Sequence, residues 1–160
     1  MRIPLPDERA TDDLARRLAA LLGPGDAVLL AGPVGAGKSH LARALIRARL
    51  GDPEAEVPSP TFTLVQPYEA PPGPMGGPIL HADLYRLSGP ADLAELGFPE
   101  AFAQALCLVE WPDRLGPLAP PEALRLSLEP WGEGRLATLE GGGPWAARLE
   151  RAGLEASHAA

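Results

Sequence analysis

Asparagine is absent from the 160 residues, and lysine and cysteine occur once each. A single cysteine excludes an internal disulfide. Cys107 sits in the apolar run ALCLV and reads as a core residue rather than a reactive thiol. No apolar run reaches the roughly 20 residues that a membrane span needs. The amino-terminal MRIPLPDERA lacks a basic-then-apolar signal pattern, so a cytoplasmic protein without membrane contact is expected. Positive charge is short as well. A net charge of -7 argues against a broad, sequence-independent grip on nucleic acid, although a small basic patch stays compatible with it.

What is present is equally biased. Nearly all of the 14 basic residues are arginine, and 20 prolines and 18 glycines accompany abundant alanine. Scarce Asn, Lys and Ile beside plentiful Ala, Arg, Gly and Pro carry the imprint of a GC-rich genome, and the missing Asn with few Cys, Met and Gln also suits a thermophile. The bias isolates one residue. The only lysine, Lys38, lies in a glycine-rich loop, where arginine is no equivalent for a compact point charge.

Along the chain, leucines at 14, 18, 21 and 22 predict an amphipathic helix over 9–22, capped by Thr11 or Asp12 and stopped by Gly23-Pro24-Gly25. AVLLA (27–31) predicts a short buried strand, and 39–50 a helix ending before Gly51-Asp52-Pro53. TFTLVQPY (61–68) and ILHAD (79–83) predict two strands of a hairpin with the proline- and glycine-rich segment 70–78 at its tip. Short helical stretches broken by Gly89-Pro90 and Gly97–Pro99 lead to a buried strand LCLVE (106–110) and a loop WPDRLGPLAPP. ALRLSLEP and GRLATLE predict strands joined by a turn around Trp131 to Gly134, and GPWAARLERAG predicts a last helix. The expected architecture is a three-layer α/β fold of the P-loop class with a mixed, mostly parallel central sheet. Residues 1–152 are expected to form one domain and 153–160 a flexible tail.

GPVGAGKS (32–39) fits GxxxxGK[ST] in full, in a strand–loop–helix setting. Glycines let the backbone turn its N–H groups inward, and the helix start adds a favourable dipole for anions. The stretch Gly32, Gly35, Ala36, Gly37, Lys38, Ser39 and His40 is therefore expected to hold ATP. Lys38 would reach the β- and γ-phosphates, and the Ser39 hydroxyl would ligate Mg²⁺. Such proteins also place a carboxylate at a strand end for the metal. Asp83 ends ILHAD and Glu110 ends LCLVE, and spacing does not divide the roles between them. His81 shares a strand face with Asp83 and is read as structural rather than as a hydrogen-bonding partner in the site. Arg86 and Arg114 are candidate cations for the phosphates or for ion pairs.

GPVGAGKS, PSPTFTLVQPY, HADLYRL, LGF and VEWPDRL, in this order and spacing, resemble the bacterial ATPase family of tRNA threonylcarbamoyladenosine biosynthesis, the TsaE family. The resemblance runs from about Thr11 to Arg135. It implies a small ATPase, with ATP and Mg²⁺, that supports two partners: the threonylcarbamoyl-transferring subunit and its inactive-looking paralogue. Together they modify adenosine 37 of tRNA, which reaches this chain only through those partners. By the same resemblance, Thr61 of SPTF lies near the γ-phosphate and metal, Asp83 holds the metal, and Glu110 orients the attacking water. Trp111 would sit beside the nucleotide or a partner, and Thr11 where the base rests. Plain alternatives stay open: a turn threonine at 61, a packed aromatic at 111, a helix cap at 11. Departures from the family pattern include Pro33-Val34, Ser39 for Thr, Asp113 and an uninterpreted His40.

Three other readings share the loop. A GTPase normally reads guanine with Asn-Lys-x-Asp, which a chain without asparagine cannot supply. A small-molecule kinase would need a lid or acceptor site that nothing here resembles. A nucleotide-dependent assembly module with little hydrolysis differs from an ATPase only in turnover.

Overall fold

A computed structural model describes residues 1–60, 64–87 and 90–154. Seven strands form a single sheet in the order β1-β7-β6-β2-β5-β4-β3: β1 Arg2–Leu5, β2 Ala27–Ala31, β3 Val65–Ala70, β4 Gly77–Asp83, β5 Leu106–Glu110, β6 Leu124–Trp131 and β7 Gly134–Glu140. Its centre is parallel, with β2 pairing β5 and β6, and β5 pairing β4. The flanks β1–β7, β7–β6 and β4–β3 are antiparallel. The helices are α1 Glu8–Leu21, α2 Lys38–Leu50, α3 Pro90–Glu95, α4 Phe98–Gln104 and α5 Trp145–Arg151, with a 3-10 helix at Pro112–Leu118.

The three layers follow from side-chain alternation. Val28 and Leu30 of β2 and Leu106 and Leu108 of β5 pack with Leu14 of α1, Leu45 of α2 and Leu149 of α5. Ala27, Leu29, Cys107 and Val109 face the other way, toward Leu93 of α3, Phe98 of α4 and Leu115 of the 3-10 helix. Strands covered on both faces read as continuous apolar runs, which is why AVLLA and LCLV show no alternation of polarity. Each fully buried leucine there contributes about 2 kcal/mol through the apolar area removed from water. Burial also lifts the Cys107 thiol to about 12, which fits its reading as a core residue.

The expected elements are present with four amendments. Asp7, not Thr11 or Asp12, caps α1, its carboxylate accepting the Ala10 N–H at 2.9 Å. The segment after Trp111 is not a plain loop. A proline at its first position fixes φ for a helical start, and i→i+3 bonds such as Arg114 N–H to the Trp111 carbonyl at 3.2 Å give a 3-10 helix, broken at Gly116. β3 begins at Val65, after Leu64 at a φ of 61°. β1, which the sequence reading did not predict, runs along the outer edge of β7 with Pro4 opposite Leu136. The other edge strand also carries a proline, Pro67 opposite Leu80. A proline lacks the N–H for a second ladder and is tolerated at an edge.

This topology fixes where a site can form. From β2 the chain leaves along α2 on one face of the sheet, whereas from β5 it leaves along the 3-10 helix on the other. Adjacent parallel strands whose connections diverge in this way open a crevice beyond their carboxyl ends. Gly32 follows one strand and Trp111 the other.

Candidate functional site

The loop after β2 is tightly constrained at both ends. Gly32 has a φ of +141°, and a Cβ there would lie 2.3 Å from the Leu128 carbonyl oxygen of β6, so no larger residue fits. Gly37, at a φ of +99°, precedes α2 without any side-chain cap. The first N–H groups of α2 therefore have no side-chain cap, the setting in which a helix N-terminus can receive phosphate. Lys38 folds back over the loop. Its ammonium donates to the Gly32 carbonyl and, at 3.4 Å, to that of Pro33, and it lies 4.0 Å from the centre of the Trp111 ring. Only 6% of the residue is exposed. Burial pulls its pKa below the usual lysine value, while the charges of Glu110 and then Asp83 pull it back up.

Glu110 and Asp83 are register partners on β5 and β4. Glu110 is 2% exposed, and both of its oxygens are engaged. Oε1 accepts from the Ser39 hydroxyl at 2.9 Å, and Oε2 lies 2.8 Å from His81 Nε2. A carboxylate offers only lone pairs, so Nε2 of the fully buried His81 carries the proton and donates it. A buried carboxylate needs such partners on each oxygen. Asp83 stands at the mouth instead, half-buried, with Oδ1 accepting the Tyr85 N–H at 3.1 Å. Tyr85 packs its ring 4.9 Å from that of Trp111, whose backbone holds a left-handed φ of 58°. Lys38, Ser39, Asp83, Glu110, Tyr85 and Trp111 together line a cavity of about 510 Å³.

The donor set fits a hard divalent cation. It consists of one hydroxyl and two carboxylates beside a loop that would present phosphate oxygens. Among the described residues, no three His, Cys, Asp or Glu side chains are grouped to hold a metal by themselves. Mg²⁺ is characteristically bound through one or two carboxylates, waters and substrate phosphates rather than an all-protein cage.

The structure thus brings together Gly32, Gly35, Ala36, Gly37, Lys38, Ser39, His40, Asp83, Glu110 and Trp111, and Thr61 falls outside the described residues. Thr11 lies within α1, nearly buried, and lines a second pocket of about 280 Å³ with Ala36, Gly37 and His40. His40 gains an account: its Nε2 lies 2.8 Å from Asp12 Oδ1, joining the first turn of α2 to α1. His81, read as structural, instead holds the buried acid. Two contributors went unread. Tyr85 is an exposed aromatic next to a strand-end acid, a signal that DLYRL did contain. Arg135 bonds to main-chain carbonyls of Gly35 and Ala36, acceptors that leave no trace in a sequence.

Comparison with known proteins gives a consistent result. The sequence model of the family described as threonylcarbamoyl adenosine biosynthesis protein TsaE matches residues 5–136. A Rickettsia conorii protein named tRNA threonylcarbamoyladenosine biosynthesis protein TsaE is 41% identical over 125 residues, covering 78% of this chain and 69% of that protein. A Synechocystis protein of the same name is 42% identical over 117 residues, 69% of each chain. Among solved structures, that of Bacillus YdiB superposes with a TM-score of 0.77 at 26% identity, covering 96% of this chain and 93% of the other. With the family pattern spanning most of the sequence and its relatives alike over two thirds of their own length, the chain belongs to the TsaE family.

Proposed function

We propose that this chain binds ATP with Mg²⁺ at the loop 32–39 and hydrolyses it to support repeated threonylcarbamoylation of adenosine 37 in tRNA by a partner complex. The observation that carries the reading is the line Ser39–Glu110–His81, a metal-type hydroxyl bonded to a buried strand-end acid that is itself held by a buried imidazole. The loop N–H groups and Lys38 would bind the phosphates, with Lys38 exchanging the Gly32 and Pro33 carbonyls for the β- and γ-oxygens. Ser39 and Asp83, with Glu110 and Thr61, would hold Mg²⁺, which supplies neutralisation of charge on those oxygens. Glu110 would orient the attacking water, and His81 fixes its carboxylate. Trp111 and Tyr85 wall the cavity, and Thr11 lines the neighbouring pocket in which the base would rest.

The acidic balance supports a division of labour in which the threonylcarbamoyl-transferring subunit and its paralogue hold the tRNA. Work in the cytoplasm, as one domain over 1–152, belongs to the same proposal; among the described residues no helix is long and apolar enough to cross a membrane. A second reading, an assembly switch with little hydrolysis, draws on one observation. Glu110 is 2% exposed, and although each oxygen keeps a lone pair beyond its Ser39 or His81 bond, admitting a water calls for its cover to open, a step that a bound partner would promote.

Reconstitution with the two partners and tRNA tests the proposal, counting modified adenosine and released phosphate. Modification beyond one turnover only with this chain and ATP supports the ATPase. Equal turnover with a non-hydrolysable ATP analogue would select the switch, and turnover without the chain would remove it from the reaction.

A further inference from the structure

We propose that Arg135 is a positioning residue of the phosphate loop, holding the outer carbonyls of Gly35 and Ala36 so that the loop keeps its curl and the Gly37 N–H faces the nucleotide. The inference rests on the nucleotide reading; Arg135 also lines the pocket of Thr11 and His40, but its three hydrogen bonds all go to main-chain carbonyls, so the role assigned to it runs through the loop. Arg135 is the second residue of β7. Its guanidinium donates from Nε to the Ala36 carbonyl, from Nη2 to the Gly35 carbonyl and from Nη1 to the Gly134 carbonyl, each at 3.0 Å. A planar trans peptide points its C=O and N–H in opposite directions. Fixing the Ala36 carbonyl on the outside therefore aims the Gly37 N–H inward, at the start of α2. The loop is closed in the same sense by the Ala36 N–H, which donates to the Pro33 carbonyl at 3.1 Å.

The chemistry suits arginine alone. Two adjacent carbonyls are met by two donors set in one rigid plane, a geometry that an ammonium cannot match. The clamp also stands on a firm base. Residue 135 pairs with Leu5 on one side and Pro130 on the other, inside the antiparallel β1-β7-β6 flank. The same hairpin meets the loop at Gly32, where the Leu128 carbonyl leaves no room for a Cβ. One hairpin therefore holds the start and the middle of a glycine-rich segment that would otherwise lose conformational freedom each time it closed on phosphate.

Two measurements decide the matter. Amide hydrogen exchange in the ligand-free chain is expected to quicken by at least ~10-fold at Gly35 to Ser39 in Arg135→Ala, with α1 amides unchanged, because local opening is governed by the clamp. Calorimetric titration with ATP·Mg²⁺, ADP and GTP is expected to show ATP and ADP weakened by a common factor of at least ~10, because preorganisation is lost, and phosphate release is expected to show KM rising more than kcat falls. Arg135→Lys, the variant less exposed to misfolding, is expected to recover less than half of that loss on a logarithmic scale. Wild-type exchange and affinity in folded Arg135→Ala overturn the clamp. So does full rescue by lysine, which would reduce the effect to charge, and so does an altered ATP-to-GTP ratio, which would mean contact with the base. A wild-type chain that binds no ATP overturns the nucleotide reading instead, and the exchange comparison still decides the clamp.

Discussion

The ends of β4 and β5 lie side by side with Asp83 opposite Glu110, yet the two carboxylates meet different surroundings. After β4 the chain turns so that the Tyr85 N–H closes on Asp83, leaving that acid half-buried at the cavity mouth. After β5 Trp111 turns into a left-handed conformation, and Ser39 from α2 and His81 from β4 close over Glu110. The sheet sets the spacing of the two acids, and the residues just beyond it set their freedom. An acid held on both oxygens has one orientation to offer, which suits directing a water. An acid at a rim can follow a metal and its waters.

The largest expected effect removes what the two acids share. The charges of both act on the Lys38 ammonium. Lys38→Ala is expected to weaken ATP·Mg²⁺ by at least ~100-fold, the loss of two charge-assisted bonds to phosphate. Calorimetry with a folded variant checks it, and wild-type affinity would end the cradle assignment.

Next comes Glu110→Gln, expected to slow phosphate release at least ~10-fold, a barrier rise of about 1.4 kcal/mol, while affinity changes less than ~3-fold. Asp83→Asn is also expected to slow release about 10-fold, and in addition to weaken ATP·Mg²⁺ about 3-fold or more, since it would help hold the metal. Phosphate release with partners present and binding by calorimetry give the two readouts. Equal affinity losses in the two variants would erase the contrast drawn above, and wild-type release in either would strip that acid of its role.

The smallest effect is in pH. Because the folded pKa of Lys38 is depressed, ATP affinity is expected to fall with rising pH before the 10.5 of an ordinary lysine is reached. Each carboxylate raises that pKa, Glu110 more than Asp83, so the alkaline limb should move to lower pH in both variants and further in Glu110→Gln. The stability linkage runs the opposite way. Between the folded pKa and 10.5 the unfolded chain binds more protons, so this lysine's unfavourable contribution to stability is relieved as pH rises. Titrating affinity between pH 8 and 10.5 in the three proteins orders the limbs, and a common limb would show that neither acid reaches Lys38.

Much of this was legible because local chemistry and global position agree. AVLLA and LCLVE are apolar where both faces of the sheet are covered, and an acid closing such a run stands at the crevice by construction. Legibility failed where a partner lies far along the chain. His40 is meaningful only beside Asp12, and His81 only beside Glu110 across the β4–β5 ladder. β1 was hidden by Pro4 and by its brevity, since an edge strand needs neither a full ladder nor a clean alternation. Asp7 caps α1 in place of Thr11 or Asp12 because the helix begins at Glu8, a start that the leucine spacing alone does not mark.

The pairing of β2 has a consequence for how the chain is made. Its neighbours β5 and β6 are synthesised long after it, the Ser39–Glu110 bond spans 71 positions, and the Arg135–Gly35 bond spans 100. Contacts of such sequence separation form late and slowly, because the intervening chain must close before any pairing rewards it. On the ribosome, the glycine-rich loop therefore emerges early and waits, without the acid, the imidazole or the hairpin that complete it. A nascent chain arrested before β5 is expected to retain no ATP, and acquisition of nucleotide affinity would time the completion of the sheet.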